Sequence, residues 1–155
     1  MKSIVLTLAS ALAMAPVTLS PRAATAQAGP MDAVHRFVDA FNKGDVAAAA
    51  ASCAEQTSII DEFAPYEWHG AGACARWMGD YDADAKRNAI TGGVVTLGAP
   101  RHVDVSGDRA YLVVPADYAY AKKGKPVKEV ASTLTIALTK SAGGWKMTGW
   151  TWAKR

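Results

Sequence analysis

The chain has 155 residues, 50% of them hydrophobic and 20% charged, a size that suits one domain with one core. Of its 17 basic residues, Lys2 and Arg22 fall in the leader described next, which leaves 15 basic against 14 acidic residues. So small a surplus gives no reason to expect nucleic acid as a partner.

Residues 1–28 read as a secretory signal peptide. Lys2 gives a short basic start, an apolar stretch follows from Ile4, and Ala26-Gln27-Ala28 forms a small-x-small cleavage site. Pro16, Ser20, Pro21 and Arg22 interrupt the apolar run, which makes it too short for a comfortable membrane span. Cleavage after Ala28 would leave residues 29–155 as a single domain, periplasmic or secreted, with no membrane attachment.

Residues 31–43 are expected to be helical, because Val34, Phe37, Val38 and Phe41 recur at i, i+3, i+4 and i+7. Gly44 can end that helix and Asp45 can cap the next, the alanine-rich "VAAAAASCAE". Thr57, Ile59 and Ile60 favour a strand over residues 56–63, which Pro65 breaks. A third helix is expected over residues 72–87, with Ala73, Trp77, Tyr81 and Ala85 on one face.

From Gly92 onward strands and turns alternate. Residues 94–105 form one long strand or two bent ones around Pro100, and residues 110–121 form another with a bulge near Pro115. "KKGKPVK" is a solvated hairpin tip. In residues 130–140, Leu134, Ile136 and Leu138 face one side while Thr133, Thr135 and Thr139 face the other. Residues 145–152 close the sheet. Helices followed by a run of antiparallel strands make an α+β domain, three helices held in a curved sheet.

Cys53 and Cys74 are the two cysteines. Export would permit a disulfide between them; the alternative is two buried thiols. With no third or fourth ligand nearby, neither metal nor cofactor is expected.

The order of these elements resembles a known superfamily. "FVDAFNKGDVAAAAA", then "SIID", then a Trp-x-Gly step into a third helix, then long strands ending in an aromatic-rich one, is similar to the nuclear transport factor 2-like superfamily. The resemblance is strongest to exported bacterial members grouped with SnoaL-like and ketosteroid-isomerase-like domains. It implies a cone-shaped α+β half-barrel, an apolar pocket inside the cone and homodimers built through the sheet. Activities within the superfamily are diverse, so the fold alone assigns none.

In the isomerase branch an aspartate after the second helix shuttles a proton beside a carbonyl, and Asp61 stands at a matching place. That branch adds a tyrosine from the first helix, where this chain has Phe37, and a second acid from a late strand, where Thr133 and Thr135 offer only hydroxyls. A phenyl ring donates no hydrogen bond to an oxyanion. His69 is a second catalytic candidate, beside the third helix. His102 is a candidate with it for a dehydratase-like site, and His35 is a solvated residue. An epoxide-hydrolase-like set would need Asp61, Arg101 and Asp117 together.

Phe37, Phe41, Tyr66, Trp68, Trp77, Tyr118 and Trp150 are the candidate pocket lining, with core or dimer packing as the other reading of these rings. The expectation is a domain that binds a small apolar or amphipathic molecule. The rivals are an isomerase, cyclase or dehydratase using Asp61 as general base, and a dimeric interaction module without ligand.

Overall fold

The computed structural model describes residues 29–155; the expected signal peptide lies outside the described residues. Helix α1 (Pro30–Lys43) buries Val34, Phe37 and Val38, and ends where Gly44 takes the left-handed conformation at φ 68°. The Asp45 carboxylate then accepts the Ala48 N–H at 3.0 Å and starts α2 (Val46–Ser52).

At Cys53 the backbone turns extended and β1 (Cys53–Ile60) begins at once. Residues 53–55, expected to be helical, are therefore strand. Alanine propensity is outweighed there by pairing of Cys53 with Met147 and by the disulfide from Cys53 to Cys74 in α3 (Ala73–Asn88). β1 also stops at Ile60, short of the expected residue 63. A turn closes as Asp61 N–H donates to Tyr66 O at 3.0 Å and Tyr66 N–H to Phe63 O at 2.8 Å. The chain then pairs back as β2 (Glu67–Ala71), a strand without a sequence signal because only Trp68 among its residues is buried.

Residues 94–105 resolve into two strands, β3 (Ile90–Leu97) and β4 (His102–Ser106). Between them Gly98 N–H donates to Pro115 O, and Arg101 N–H to Val113 O, both at 2.8 Å. Three strands complete the sheet: β5 (Arg109–Lys122), β6 (Lys125–Ser141) and β7 (Gly144–Ala153). Its order is β2-β1-β7-β6-β5-β3, with β4 also paired to β5. The sheet was expected to be antiparallel throughout; it is mixed. β1 runs parallel to β7, a pairing open to it because the two strands are joined by a long connection and not by a hairpin.

The register of β5 on β6 shifts between Ala116 and Tyr118, just beyond Pro115. Asp117 at that bulge accepts the N–H of Ala131, which has φ 60°, at 3.1 Å. The bulged sheet curves around the helices without closing into a barrel. Leu112, Val114, Leu134, Ile136, Leu138 and Met147 form its buried face against the helices, while Thr133, Thr135 and Thr139 stay partly exposed. No helix among the described residues is long and apolar enough to cross a membrane.

Candidate ligand pocket

The open side of the cone holds a cavity of about 80 Å³. Helix α1 contributes Phe37, Val38 and Phe41, and α3 contributes Trp77 and Tyr81 one turn apart. The sheet adds Val95, Tyr118, Leu134, Trp150 and Trp152; the turn after β1 adds Asp61, Glu62 and Phe63. Trp77 is the hub. Its ring centroid lies 4.8 Å from Trp150, 5.5 Å from Phe41, 5.8 Å from Phe37 and 6.0 Å from Tyr81.

Asp61 is half-buried at the edge of this apolar wall. One carboxylate oxygen accepts the Glu62 N–H at 2.7 Å and the other accepts the Trp77 indole N–H at 2.8 Å. Burial pushes its proton affinity up from the ordinary 3.8 to about 6, against the lowering effect of those two donors. The negative charges of Glu62 and Glu129 add to the rise.

At the rim, Lys154 Nζ lies 2.6 Å from Glu129 Oε1 and 3.5 Å from Glu62 Oε2. The Tyr120 hydroxyl donates to the same Glu129 oxygen at 3.0 Å. Burial, then repulsion from Glu129, raises the proton affinity of Glu62.

A second polar feature sits in the cavity wall. The hydroxyls of Tyr81 and Tyr118 are hydrogen-bonded to each other. They rest against Gly93, where an added Cβ would lie 2.5 Å from the Tyr118 oxygen and 2.8 Å from the Tyr81 oxygen. Burial raises the proton affinity of both phenols.

Of the residues singled out from sequence, Phe37, Phe41, Asp61, Trp77, Tyr118 and Trp150 meet at the cavity. Tyr66 and Trp68 do not. Tyr66 is 60% exposed, carried outward by the turn it closes. Trp68 is buried behind the wall, its ring 5.0 Å from Phe63 and its N–H donated to Asp80 at 2.8 Å. Phe63 therefore takes the lining place expected of Trp68.

His69 is exposed on β2, its Nε2 3.2 Å from Glu67 and its Nδ1 3.4 Å from the Ser58 hydroxyl; it faces away from the cavity lining. His102 is exposed on β4 beside Tyr111, and His35 is exposed on α1. Asp117 serves the bulge and pairs with Lys128 at 3.2 Å, and Arg101 is exposed, so the set of Asp61, Arg101 and Asp117 is not assembled. Among the described residues no group of three or more His, Cys, Asp or Glu side chains is placed to hold a metal ion.

Val38, Glu62, Phe63, Tyr81, Val95, Leu134 and Trp152 complete the lining without having been expected there. Tyr81 carried a signal, four residues after Trp77 on one helical face, and Trp152 shares the strand face of Trp150. Phe63 and Glu62 lie in an irregular turn that no periodicity marks.

Residues 31–151 match the family model of the SnoaL-like domain. No curated protein matches the sequence. Among solved structures the chain is similar to a nuclear transport factor 2-like protein with a cystatin-like fold from Novosphingobium aromaticivorans. The identity is 19%, the TM-score 0.64, and the match covers 79% of this chain and 77% of that one. A ketosteroid isomerase-like protein from Erwinia carotovora atroseptica is also similar, at 19% identity and TM-score 0.63, over 81% of this chain and 92% of that one. A nuclear transport factor 2-like superfamily protein from Salmonella enterica serovar Typhimurium matches at 13% identity and TM-score 0.63, over 79% and 86% of the two chains.

Proposed function

We propose that this chain, which belongs to the SnoaL-like domain family, binds a small, largely apolar molecule in the cone and that Asp61 exchanges a proton with it. The observation that carries the reading is the carboxyl of Asp61 set in an aromatic wall, its proton affinity lifted to about 6. A carboxylate of ordinary affinity is a weak base; one near neutrality is matched to moving protons at working pH. The Erwinia relative is named ketosteroid isomerase-like, which at 19% identity supports the shared fold.

The cavity sets the scale. A volume of about 80 Å³ holds roughly half a dozen waters, so a one-ring guest would fill it together with the open mouth. Export through residues 1–28 is part of the proposal; in an oxidising compartment the Cys53–Cys74 bridge would persist.

Toluene is a suitable probe, followed by the fluorescence of the pocket tryptophans. A neutral apolar guest expels water from around Asp61 and so favours its protonated form. Affinity is expected to rise as pH falls from 7.5 through about 6, and to be flat in Asp61→Asn. Acetophenone in deuterated water reads the proton transfer: its methyl hydrogens should exchange with wild type and not with Asp61→Asn. Absence of toluene binding at any pH would remove the ligand reading; binding without Asp61-dependent exchange would reduce the site to a receptor.

A further inference from the structure

The mouth of the cone carries more acids than cations. Of the residues that line the cavity, Asp61 and Glu62 are acidic and none is basic. Glu129 adds a third carboxyl beside them. It stands opposite Tyr118 in the β5–β6 register, and directly opposite residues share a face of the sheet. That is the face from which the Tyr118 ring lines the cavity. Beyond burial, the charge of Glu129 is among the causes that raise the proton affinity of Asp61, Glu62 and Tyr118.

The Glu129 side chain is only 5% exposed, and its two oxygens are unequally served. Oε1 accepts from Lys154 Nζ at 2.6 Å and from the Tyr120 hydroxyl at 3.0 Å. Oε2 is buried and has no hydrogen-bond partner among the described residues. A buried carboxylate oxygen without a donor is costly, so this place calls for a donor and repels an acceptor. Lys154 shows that an ammonium fits there: its one nitrogen bonds Glu129 and lies 3.5 Å from Glu62. It comes from the chain end just past β7, with a side chain that is half exposed. Lys128, paired with Asp117 at 3.2 Å, and Arg155 border an outer recess beside Glu129, and neither lines the cavity.

We propose that Glu62 and Glu129 form an ammonium subsite at the mouth of the cone, which makes the ligand a small aryl-alkyl amine with its ring in the aromatic cavity. This rests on the reading of the cavity as a ligand site and specifies the charge of what enters it. A primary ammonium brings three N–H donors, enough to serve Glu129 Oε2 and Glu62 together. The faces of the lining rings favour a cation as well. Lys154 competes for the same two carboxyls.

The test uses two isosteric one-ring probes, benzylamine and ethylbenzene, which differ only in NH3+ against CH3. Binding is followed by tryptophan fluorescence at about pH 7.5, above the Asp61 midpoint of about 6, and in about 0.15 M salt, which screens attraction to the outer surface. Wild type is expected to bind benzylamine about tenfold more tightly, the scale of one hydrogen bond to a charged group. In Glu62→Gln/Glu129→Gln that preference should vanish while ethylbenzene binding persists. Lys154→Met, a change at a half-exposed position, should tighten benzylamine several-fold and leave ethylbenzene unchanged. Equal affinity of the two probes in both wild type and Lys154→Met would overturn the subsite and leave the pocket intact. A preference that survives in the double variant would do the same. Binding of neither probe to any of the three proteins would sink the pocket and this subsite together.

Discussion

Trp77→Ala is expected to lower stability by about 3–5 kcal/mol, the range for deleting a large buried aromatic. Trp77 is 5% exposed and its ring stands among Phe37, Phe41, Phe63, Tyr81 and Trp150. The change removes the shared contact of helix α1, helix α3, the β1–β2 turn and strand β7. It also strips Asp61 of its indole donor. For a domain of this size the loss corresponds to a fall in melting temperature of very roughly 10–20 °C. Calorimetry of the variant checks it, and a fall of only a few degrees would mean that the ring is not the hub described. Trp77→Phe separates packing from hydrogen bonding. It keeps most of the ring contact and loses the N–H, so the Asp61 carboxyl should hold its proton to still higher pH than about 6.

Removing the disulfide is expected to cost about 3 kcal/mol, the loop-closure value for a span of this order. Cys53 and Cys74 are separated by 21 residues and tie the first residue of β1 to the first turn of α3. That tie brackets the turn at 61–66, which carries Asp61. Alanine is the better replacement, because both positions are buried and a serine hydroxyl would need a partner there. Guanidinium unfolding of Cys53→Ala/Cys74→Ala should match that of reduced wild type, with both midpoints below the oxidised protein. Identical midpoints for oxidised and reduced wild type would show that the bridge leaves the unfolded chain unconstrained.

The contrast between what the sequence foretold and what it concealed has a physical basis. Periodicity reports a face, so α1 and the alternation of Leu134, Ile136 and Leu138 could be read directly. The Gly44-Asp45 junction could be read because its two residues do local work, one as left-handed C-cap and one as N-cap acceptor. The start of β1 was hidden inside an alanine run, since the forces that extend Cys53 come from Met147 and Cys74, both distant in sequence.

The site was half visible for the same reason. Asp61 and the rings of α1, α3 and β7 could be named by residue type and place in the order of elements. Which of Phe63, Tyr66 and Trp68 turns inward depends on the geometry of one irregular turn, and no pattern encodes it. Phe37 removed the donor that the superfamily resemblance supplied from the first helix. The donor pair that the cavity does contain comes from α3 and β5, and it exists only because a sheet bulge puts Gly93 against the two hydroxyls.

Everything proposed for the site depends on one carboxyl being held in an apolar wall. Carbon-13 NMR of the Asp61 side-chain carboxyl, followed from pH 3 to pH 8 in the folded protein, reads this directly. A midpoint near 6 is the expected result. The sign follows for stability as well. A carboxyl whose folded affinity exceeds the unfolded 3.8 keeps its proton longer in the fold, so its contribution is full below about 4 and is lost as pH rises through about 6. A midpoint at or below 4 would place Asp61 in water or in a strong ion pair, and would contradict both the pocket and the proton transfer assigned to it.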